Sequence, residues 1–361
     1  MKMAKVGRAK VSIFLAICLP VLLLFQSLGG LSVPSLSFDS CDPSNQRDPR
    51  TLRSDQITVL INGYSESRFP LLQSIAAAYS ASPLVSSVLV LWGNPATPAP
   101  TLARLAQSLS LSSLGPATVS LVCQPSSSLN ARFLPRSSIG THAVLICDDD
   151  VEVDPKSFAF AFRVWSSNPD RLVGFFSRSH DLDLPARKWI YTVHPDRYSI
   201  VLTKFMILKS QYLFQYSCQG GPRMKELRAI VDQMQNCEDI LMNLVVADQV
   251  NVGPMLVGAE RVRDWGDPRN DDDNRSSSGD GGRRRNGRLQ FKDGEGKSLR
   301  EVGLSSRRAE HRKRRGDCIT QFHKVLGRMP LRYSYGKLVN SVGEQAICMK
   351  GGKLALCDKN I

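Results

Sequence analysis

Residues Ala143–Val153 read AVLICDDDVEV. Five residues dominated by apolar side chains, Ala143-Val144-Leu145-Ile146-Cys147, run directly into three aspartates, Asp148, Asp149 and Asp150. A short apolar run rich in β-branched residues predicts a buried strand. Three adjacent carboxylates at its end repel one another in a dry site, so a cation is expected among them. Hard oxygen ligands at a strand's carboxyl end suit magnesium or manganese, with phosphates of a ligand completing the shell. In open α/β sheets that edge is also where ligands bind. Taken alone, the triplet reads as a solvated acidic turn; the flanking sequence reverses that reading.

Upstream, strand and helix patterns alternate. Ile57–Ile61 predicts a strand ending in the polar turn Asn62-Gly63-Tyr64-Ser65. Leu71, Leu72, Ile75 and Tyr79 recur at the helical period within Arg68–Tyr79. Ser87–Trp92 predicts the next strand, closed by Gly93-Asn94-Pro95; a helix around Thr101–Leu109 and a strand at Val119–Val122 follow. After the aspartates, Pro155 opens a helix that reaches Trp165. The alternation predicts a parallel sheet with crossover helices. The roughly 90 residues from the first strand to the aspartates fit four βα units.

Beyond Arg171 the pattern is mixed. Strands are expected at Leu172–Phe176 and Tyr198–Met206, and helices at Lys225–Gln235 and Cys237–Asp248. Pro268–Ser298 is polar, Gly-rich and aperiodic, which predicts a disordered insertion. Its own triplet, Asp271–Asp273, follows no strand and reads as solvated charge. Asn274-Arg275-Ser276 matches an N-glycosylation sequon, usable in a lumen.

The chain has 361 residues, 42% hydrophobic and 22% charged, enough for one large domain or two small ones. A net charge of +14 raises phosphate-bearing substrates, anionic membranes or nucleic acid as partners. The charge concentrates in the N-terminal tail and in Arg283–Arg288 and Arg307–Arg315. No zinc finger, RNA-binding motif or aromatic-interleaved basic helix accompanies these runs, so nucleic acid is not an expected partner.

Lys2, Lys5, Arg8 and Lys10 precede an apolar run, Val11–Leu28, broken by Ser12, Pro20, Gln26 and Ser27. A basic flank before such a run is a targeting segment, here near the ~20 residues a spanning helix needs. The positive-inside rule leaves the N-terminus cytosolic and the rest luminal. The expected layout is a cytosolic tail (1–10), a signal anchor (11–31), a Ser/Pro-rich stalk (32–54) and a folded region (55–361). Cleavage at Ser27-Leu28-Gly29 is the alternative. Cys18 lies in the anchor, and in an oxidising lumen the other eight of the nine cysteines are able to pair. None shows zinc-site spacing, and Cys348 and Cys357 are close enough to staple the C-terminal tail.

Several blocks carry a resemblance. LNARFLPRSSI (129–139) precedes the aspartate stretch; NCEDILMN (236–243), SRRAEHRKRRGDC (306–318) and MPLRYS (329–334) follow it. From about Ile57 to Asp358, the insertion excepted, the chain resembles glycosyltransferase family 64, the exostosin-like group. GYSESRFPLLQSIAAAYSAS, DRLVGFFSRSH, WIYTVHPDRYSIVLTKFM and VGAERVRDWGD are most similar to plant members that mannosylate glycosylinositol phosphorylceramide.

The resemblance implies a GT-A fold, an α/β architecture with a donor half (about 55–155) and an acceptor half (about 156–361) lacking a clean boundary. It implies retaining transfer from a nucleotide sugar with manganese, in the Golgi lumen, onto a sphingolipid acceptor at the membrane. Golgi glycosyltransferase complexes are further partners of that setting. Carried over by position, Asp150 is the metal ligand, and Asp148 and Asp149 take the ribose and phosphate side. Asn130 and Arg132 belong to the donor site, with Asn62, Tyr64 and Asn94 around the base and Arg68 as a further donor contact. Asp239 sits beside the reacting sugar carbon and Arg315 faces the leaving diphosphate, with His311 nearby. Cys237 and Cys318 match a family disulfide.

The chemistry agrees with these roles. Departure of a nucleoside diphosphate develops negative charge on the diphosphate and positive character at the anomeric carbon. A metal and Arg315 answer the first, and Asp239 the second. The bland reading of Asp239 is an ion pair with an arginine of the 307–315 run. A haloacid-dehalogenase-like phosphatase also places DxD after a strand, but Val151-Glu152 breaks that pattern. A non-catalytic luminal scaffold and a UDP-N-acetylglucosamine donor are the remaining alternatives.

Overall fold

The computed structural model describes residues 39–43, 47–266, 308–340, 344–350 and 353–359. The expected tail, anchor, 268–298 insertion and Asn274 lie outside the described residues. No helix among the described residues is long and apolar enough to cross a membrane.

The first half runs β1 (Arg53–Gly63), α1 (Phe69–Ser80), β2 (Val85–Trp92), α2 (Ala99–Leu111), β3 (Thr118–Cys123) and β4 (Thr141–Asp148). Next come β5 (Val151–Val153), α3 (Pro155–Ser166), β6 (Val173–Gly174), β7 (Ser177–Asp183) and β8 (Lys188–Thr192). They lead into β9 (Arg197–Tyr198), β10 (Ile200–Val201) and β11 (Phe205–Lys209). Helices α4 (Gln211–Cys218), α5 (Gly221–Met234) and α6 (Glu238–Val250) precede β12 (Met255–Leu256) and β13 (Val262–Asp264). The chain closes with α7 (Arg308–Leu326), β14 (Ser334–Tyr335) and the hairpin β15 (Glu344–Lys350)–β16 (Lys353–Lys359).

One seven-stranded sheet has the order β12-β6-β11-β4-β1-β2-β3. β1 pairs in parallel with β2 on one side and β4 on the other, and β2 in parallel with β3. β11 then runs antiparallel to β4 and β6. This sheet takes strands from both expected halves. The chain winds outward from β1 to β3 and returns to β1's other side as β4, so the crevice at the carboxyl ends of β1 and β4 is a topological switch point.

Burial explains the sequence pattern. Ala143, Val144, Leu145, Ile146 and Cys147 are all fully buried, because helices cover both faces of β4. A strand covered on both faces needs no polar alternation. Burying Val144, Leu145 and Ile146 contributes ~1.5–3 kcal/mol each. Asp154 caps α3, accepting from the Lys156 and Ser157 amides at 3.0 Å, with Pro155 in the first turn.

Three expectations need correction. The β3–β4 crossover holds a 3-10 turn (Leu129–Phe133) rather than a helix, since Pro125 and Ser126–Ser128 favour turns. The strand read at Leu172–Phe176 shrinks to β6; a Cβ on Gly174 would come within 2.4 Å of the Phe205 carbonyl, so the backbones cross closely there. The strand read at Tyr198–Met206 is broken into β9, β10 and β11 by a turn at Leu202–Lys204. Polar Thr203 and Lys204 leave the strand line to reach the charged cluster described below.

The residues before β1, expected within a stalk, are fastened to the body. Cys41 is disulfide-bonded to Cys218, and Arg47 Nε donates to the Ser137 carbonyl at 2.7 Å.

Candidate functional site

Two strand ends form the floor. Asn62 on β1 lies opposite Asp148 on β4. The Asn62 side chain donates to the Cys147 carbonyl at 3.1 Å, and its own carbonyl accepts from the Asp149 amide at 3.1 Å. One strand over, Asn94 donates to the Tyr64 carbonyl at 3.2 Å. Both asparagines therefore splint the crevice backbone. Tyr64 presents an exposed ring beside Gly93.

Charged side chains alternate above that floor. Arg68, buried, donates to Asp149 at 2.8 Å and pairs with Asp150 at 3.0 Å. Arg132 holds three partners: Asp148 at 3.3 Å, Glu238 at 3.2 Å and the Thr203 hydroxyl at 2.9 Å. Lys204 pairs with Asp264. Arg315 donates to Asp239 at 2.6 Å and to the Asn236 side chain at 2.8 Å, with its guanidinium 4.4 Å from the Tyr191 ring centre. Arg132 and Glu238 thus join the aspartate triplet to the Asp239–Arg315 pair.

The fold fixes the second pole tightly. Gln235 (φ 46°) and Cys237 (φ 79°) both adopt left-handed backbone, a cost of ~1–3 kcal/mol each for non-glycine residues. They turn the chain so that Glu238 and Asp239 occupy the first turn of α6, where the helix dipole favours carboxylates. The Cys237–Cys318 disulfide and the Arg315 contact hold the strained turn between α6 and α7. Gly316, next to Arg315, lets α7 approach β8: a Cβ there would stand 2.9 Å from the Trp189 carbonyl.

Burial and charge set the protonation. Burial lifts Asp149 and Asp150, against the pull of Arg68, and Asp150 reaches about 7. Burial likewise raises Glu238, opposed by Arg132. Burial works against the charges of Arg132 and Arg315, yet Glu238 and Asp148 for the one and Asp239 for the other outweigh it. His311, half-buried, is pushed down to about 4 by burial and by Arg315, so it is neutral at neutral pH.

A divalent cation fits this chemistry. Asp150 Oδ1 is buried without a hydrogen-bond partner. Among the described residues, ion pairs join Asp148, Asp149 and Asp150 to Arg68 and Arg132, Glu238 to Arg132, Asp264 to Lys204 and Asp239 to Arg315. Gly266 packs on Asp150, where a Cβ would lie 2.4 Å from Oδ2. Among the described residues no group of three or more His, Cys, Asp or Glu could enclose a metal. Phosphate oxygens of a substrate are suited to complete such a shell, as magnesium and manganese sites commonly use them.

Arg68, Arg132, Asp148, Asp149, Asp150, Asp239 and Arg315 are therefore brought together. Asn130 is not: its amide donates to the Arg228 carbonyl and to Asp232, and it accepts from the Tyr216 hydroxyl. The bland reading of Asp239, an ion pair with an arginine of the basic run, describes its contact here. Glu238, Thr203, Lys204, Asp264 and Asn236 were missed as members of the cluster. Glu238 adjoins Asp239 in NCEDI, and Lys204 and Asp264 lie in quoted blocks, but only the turn at 202–204 and the β5–β13 pairing place them.

Residues 57–343 match the glycosyl transferase family 64 domain. "Glycosyltransferase family protein 64 C3" of Arabidopsis thaliana is 62% identical over 322 residues, 89% of this chain and 91% of that protein. Exostosin-1 of Mus musculus is 34% identical over 215 residues, 55% of this chain, which spans 27% of that longer protein. A crystal structure of GalNAc-T7 with UDP, GalNAc and Mn2+ overlaps 45% of this chain and 36% of its own at 10% identity, with a TM-score of 0.36, too little to bear on the site. With most of its length matching that family and its charged crevice at the expected strand ends, the chain belongs to glycosyltransferase family 64 and is a glycosyltransferase.

Proposed function

We propose that this enzyme transfers mannose, with retention, from GDP-mannose to the glucuronosyl-inositol phosphorylceramide headgroup. It does so on a GT-A scaffold held at the Golgi membrane by its N-terminal anchor, with the site in the lumen. The observation that carries the reading is the convergence of Asp150, with its unpartnered buried oxygen, and the Asp239–Arg315 pair through Arg132 and Glu238. The choice of mannose and of this lipid rests on the sequence blocks shared with plant members of the family.

Asp150, flanked by Asp148 and Asp149, would hold manganese. When bound, the ion supplies positive charge opposite the departing diphosphate. The chain's own groups do the rest. Arg315 holds Asp239 oriented in a buried site. Asp239 stabilises positive character at the anomeric carbon, and Arg315 adds fixed positive charge on the leaving-group side.

The test uses the full chain in detergent with its disulfides intact. Transfer from GDP-mannose and from UDP-N-acetylglucosamine to the headgroup lipid is compared with manganese and then with chelator. Manganese-dependent transfer from GDP-mannose alone is expected. Transfer from the UDP sugar moves the protein to the sister activity, and no turnover by folded protein favours the scaffold.

A further inference from the structure

The β7–β8 hairpin stands out from the rest of the described surface. Leu182, Leu184, Ile190 and Val193 are 44%, 73%, 42% and 56% exposed. Four of the twelve large exposed hydrophobics of the described residues thus fall within one short stretch. Leu182 lies opposite Trp189 and Ile190 opposite Asp181, so Leu182 and Ile190 line the two faces of the ribbon on either side of the Leu184 tip. Single apolar side chains on a surface need no explanation, but apolar side chains on both faces and at the tip of one hairpin do.

The tip is built, not loose. Asp183 accepts from the Ala186 amide at 3.0 Å, and the Arg187 amide donates to the Leu184 carbonyl at 3.3 Å. Arg187 adopts left-handed backbone (φ 49°). This turn holds Leu184, Pro185 and Ala186 outward with Arg187 and Lys188 exposed behind them. The base of the hairpin is anchored in the site: Tyr191 packs under Arg315, and the Trp189 amide donates to the Thr320 hydroxyl of α7. Arg312 and Lys313, one turn before Gly316 on α7, are also exposed. The nearby carboxylates are engaged: Asp183 shapes the turn, and Asp181 accepts from His194 and Arg197.

We propose that this hairpin is a membrane-docking element whose apolar tip enters the interface of an anionic bilayer while Arg187, Lys188, Arg312 and Lys313 meet lipid headgroups. An apolar edge backed by cations is the chemistry that binds such a surface. A protein partner would call for a flatter apolar patch with a polar rim. Docking through β7–β8 sets the Tyr191–Arg315 side of the site at the membrane. The inference needs no particular donor or acceptor, so it stands or falls apart from the transfer reaction proposed above.

The test is amide hydrogen exchange on the full chain, reconstituted with its folded region outward in vesicles of phosphatidylcholine with or without phosphatidylserine. Amides of residues 183–190 are expected to exchange several-fold more slowly on the phosphatidylserine vesicles. Leu184→Asp and, separately, Arg187→Glu with Lys188→Glu should each abolish that difference, while β1 and β4 keep their protection. Equal exchange at the tip on both vesicles overturns the proposal, as does slowing that both variants retain.

Discussion

Arg315 and Asp239 form an ion pair at 2.6 Å with about one-twentieth of each side chain exposed, so neither charge is solvated without the other. Breaking such a pair from one side strands a charge in a dry site, at about 3–5 kcal/mol. Asp239→Asn keeps the shape and removes the charge proposed above to act at the sugar carbon. It is expected to abolish transfer while GDP-mannose binding, followed by calorimetry, stays close to wild type. Donor affinity that falls together with activity would give Asp239 a structural role instead.

Asp150 carries a different load, because it is buried beside Asp148 and Asp149 with its Oδ1 unpartnered. Burial raises its pKa to about 7. Its folded-state value lies above its unfolded one, so its contribution to metal-free stability is present at low pH and is lost as pH rises from about 4 to about 7. Asp150→Asn should therefore melt no lower than wild type at pH 7.5 without metal. Manganese should raise the melting temperature of wild type and leave the variant unmoved. A variant that manganese still stabilises would place the ion elsewhere.

Gly266 offers a gentler probe of the same carboxylate. A methyl group there would lie 2.4 Å from Asp150 Oδ2, so Gly266→Ala must push the side chain aside. Manganese affinity should drop about tenfold, the equivalent of ~1.4 kcal/mol, with the far-ultraviolet circular dichroism unchanged. Wild-type manganese affinity in the variant would mean that Asp150 has room to yield without losing the ion.

The parallel half was legible because its signals are local. The 143–147 run is continuous because β4 is covered on both faces, and α1 repeats its apolar residues because one face packs on the sheet. The strand expected at Tyr198–Met206 failed for a tertiary reason: β propensity favours extension through Thr203, but Arg132 and Glu238 draw its hydroxyl into a turn. The Asp239–Arg315 contact spans 76 residues, and nothing in spacing or periodicity announces it. Resemblance to a family named those two residues, and an ion pair between Asp239 and some arginine of the 307–315 run was the bland alternative; that the partner is Arg315, and that Glu238 stands between the pair and the triplet, came from the fold.

His180 gives the chain an acid-sensitive core. Its ring is buried, stacks on Tyr333 at 4.7 Å and meets the Ser199 hydroxyl at 2.7 Å. Burial, with Arg197 adding to it, pushes the imidazole down to about 4. The unfolded chain then binds more protons than the folded one between about pH 6.5 and 4, so stability falls as pH drops through that window. The loss approaches roughly 3 kcal/mol when the drop is complete. His180→Phe keeps a ring in the stack and should flatten the melting temperature against pH between 7 and 4.5. An unchanged slope would assign the acid sensitivity to other groups.

The two disulfides of the described residues should part company under mild reduction. Cys237 and Cys318 are fully buried beside the Asp239–Arg315 pair, whereas Cys41 and Cys218 are half-buried at the end of α4. Thiolate attack requires access, so Cys41–Cys218 is expected to open first. Alkylation and peptide mass mapping along a dithiothreitol series should find Cys41 and Cys218 labelled while Cys237 and Cys318 remain joined. Because the bond closes a long loop, its loss should cost about 2–5 kcal/mol of stability, and Cys41→Ser with Cys218→Ser should melt lower by a matching amount. Donor binding should survive, since the strained turn before α6 keeps its own bridge. A chain that begins after Cys41 should behave as the double variant does, with Cys218 left as a reactive thiol. Simultaneous opening of both bonds would mean that α6 and α7 separate as readily as the N-terminal segment lifts away.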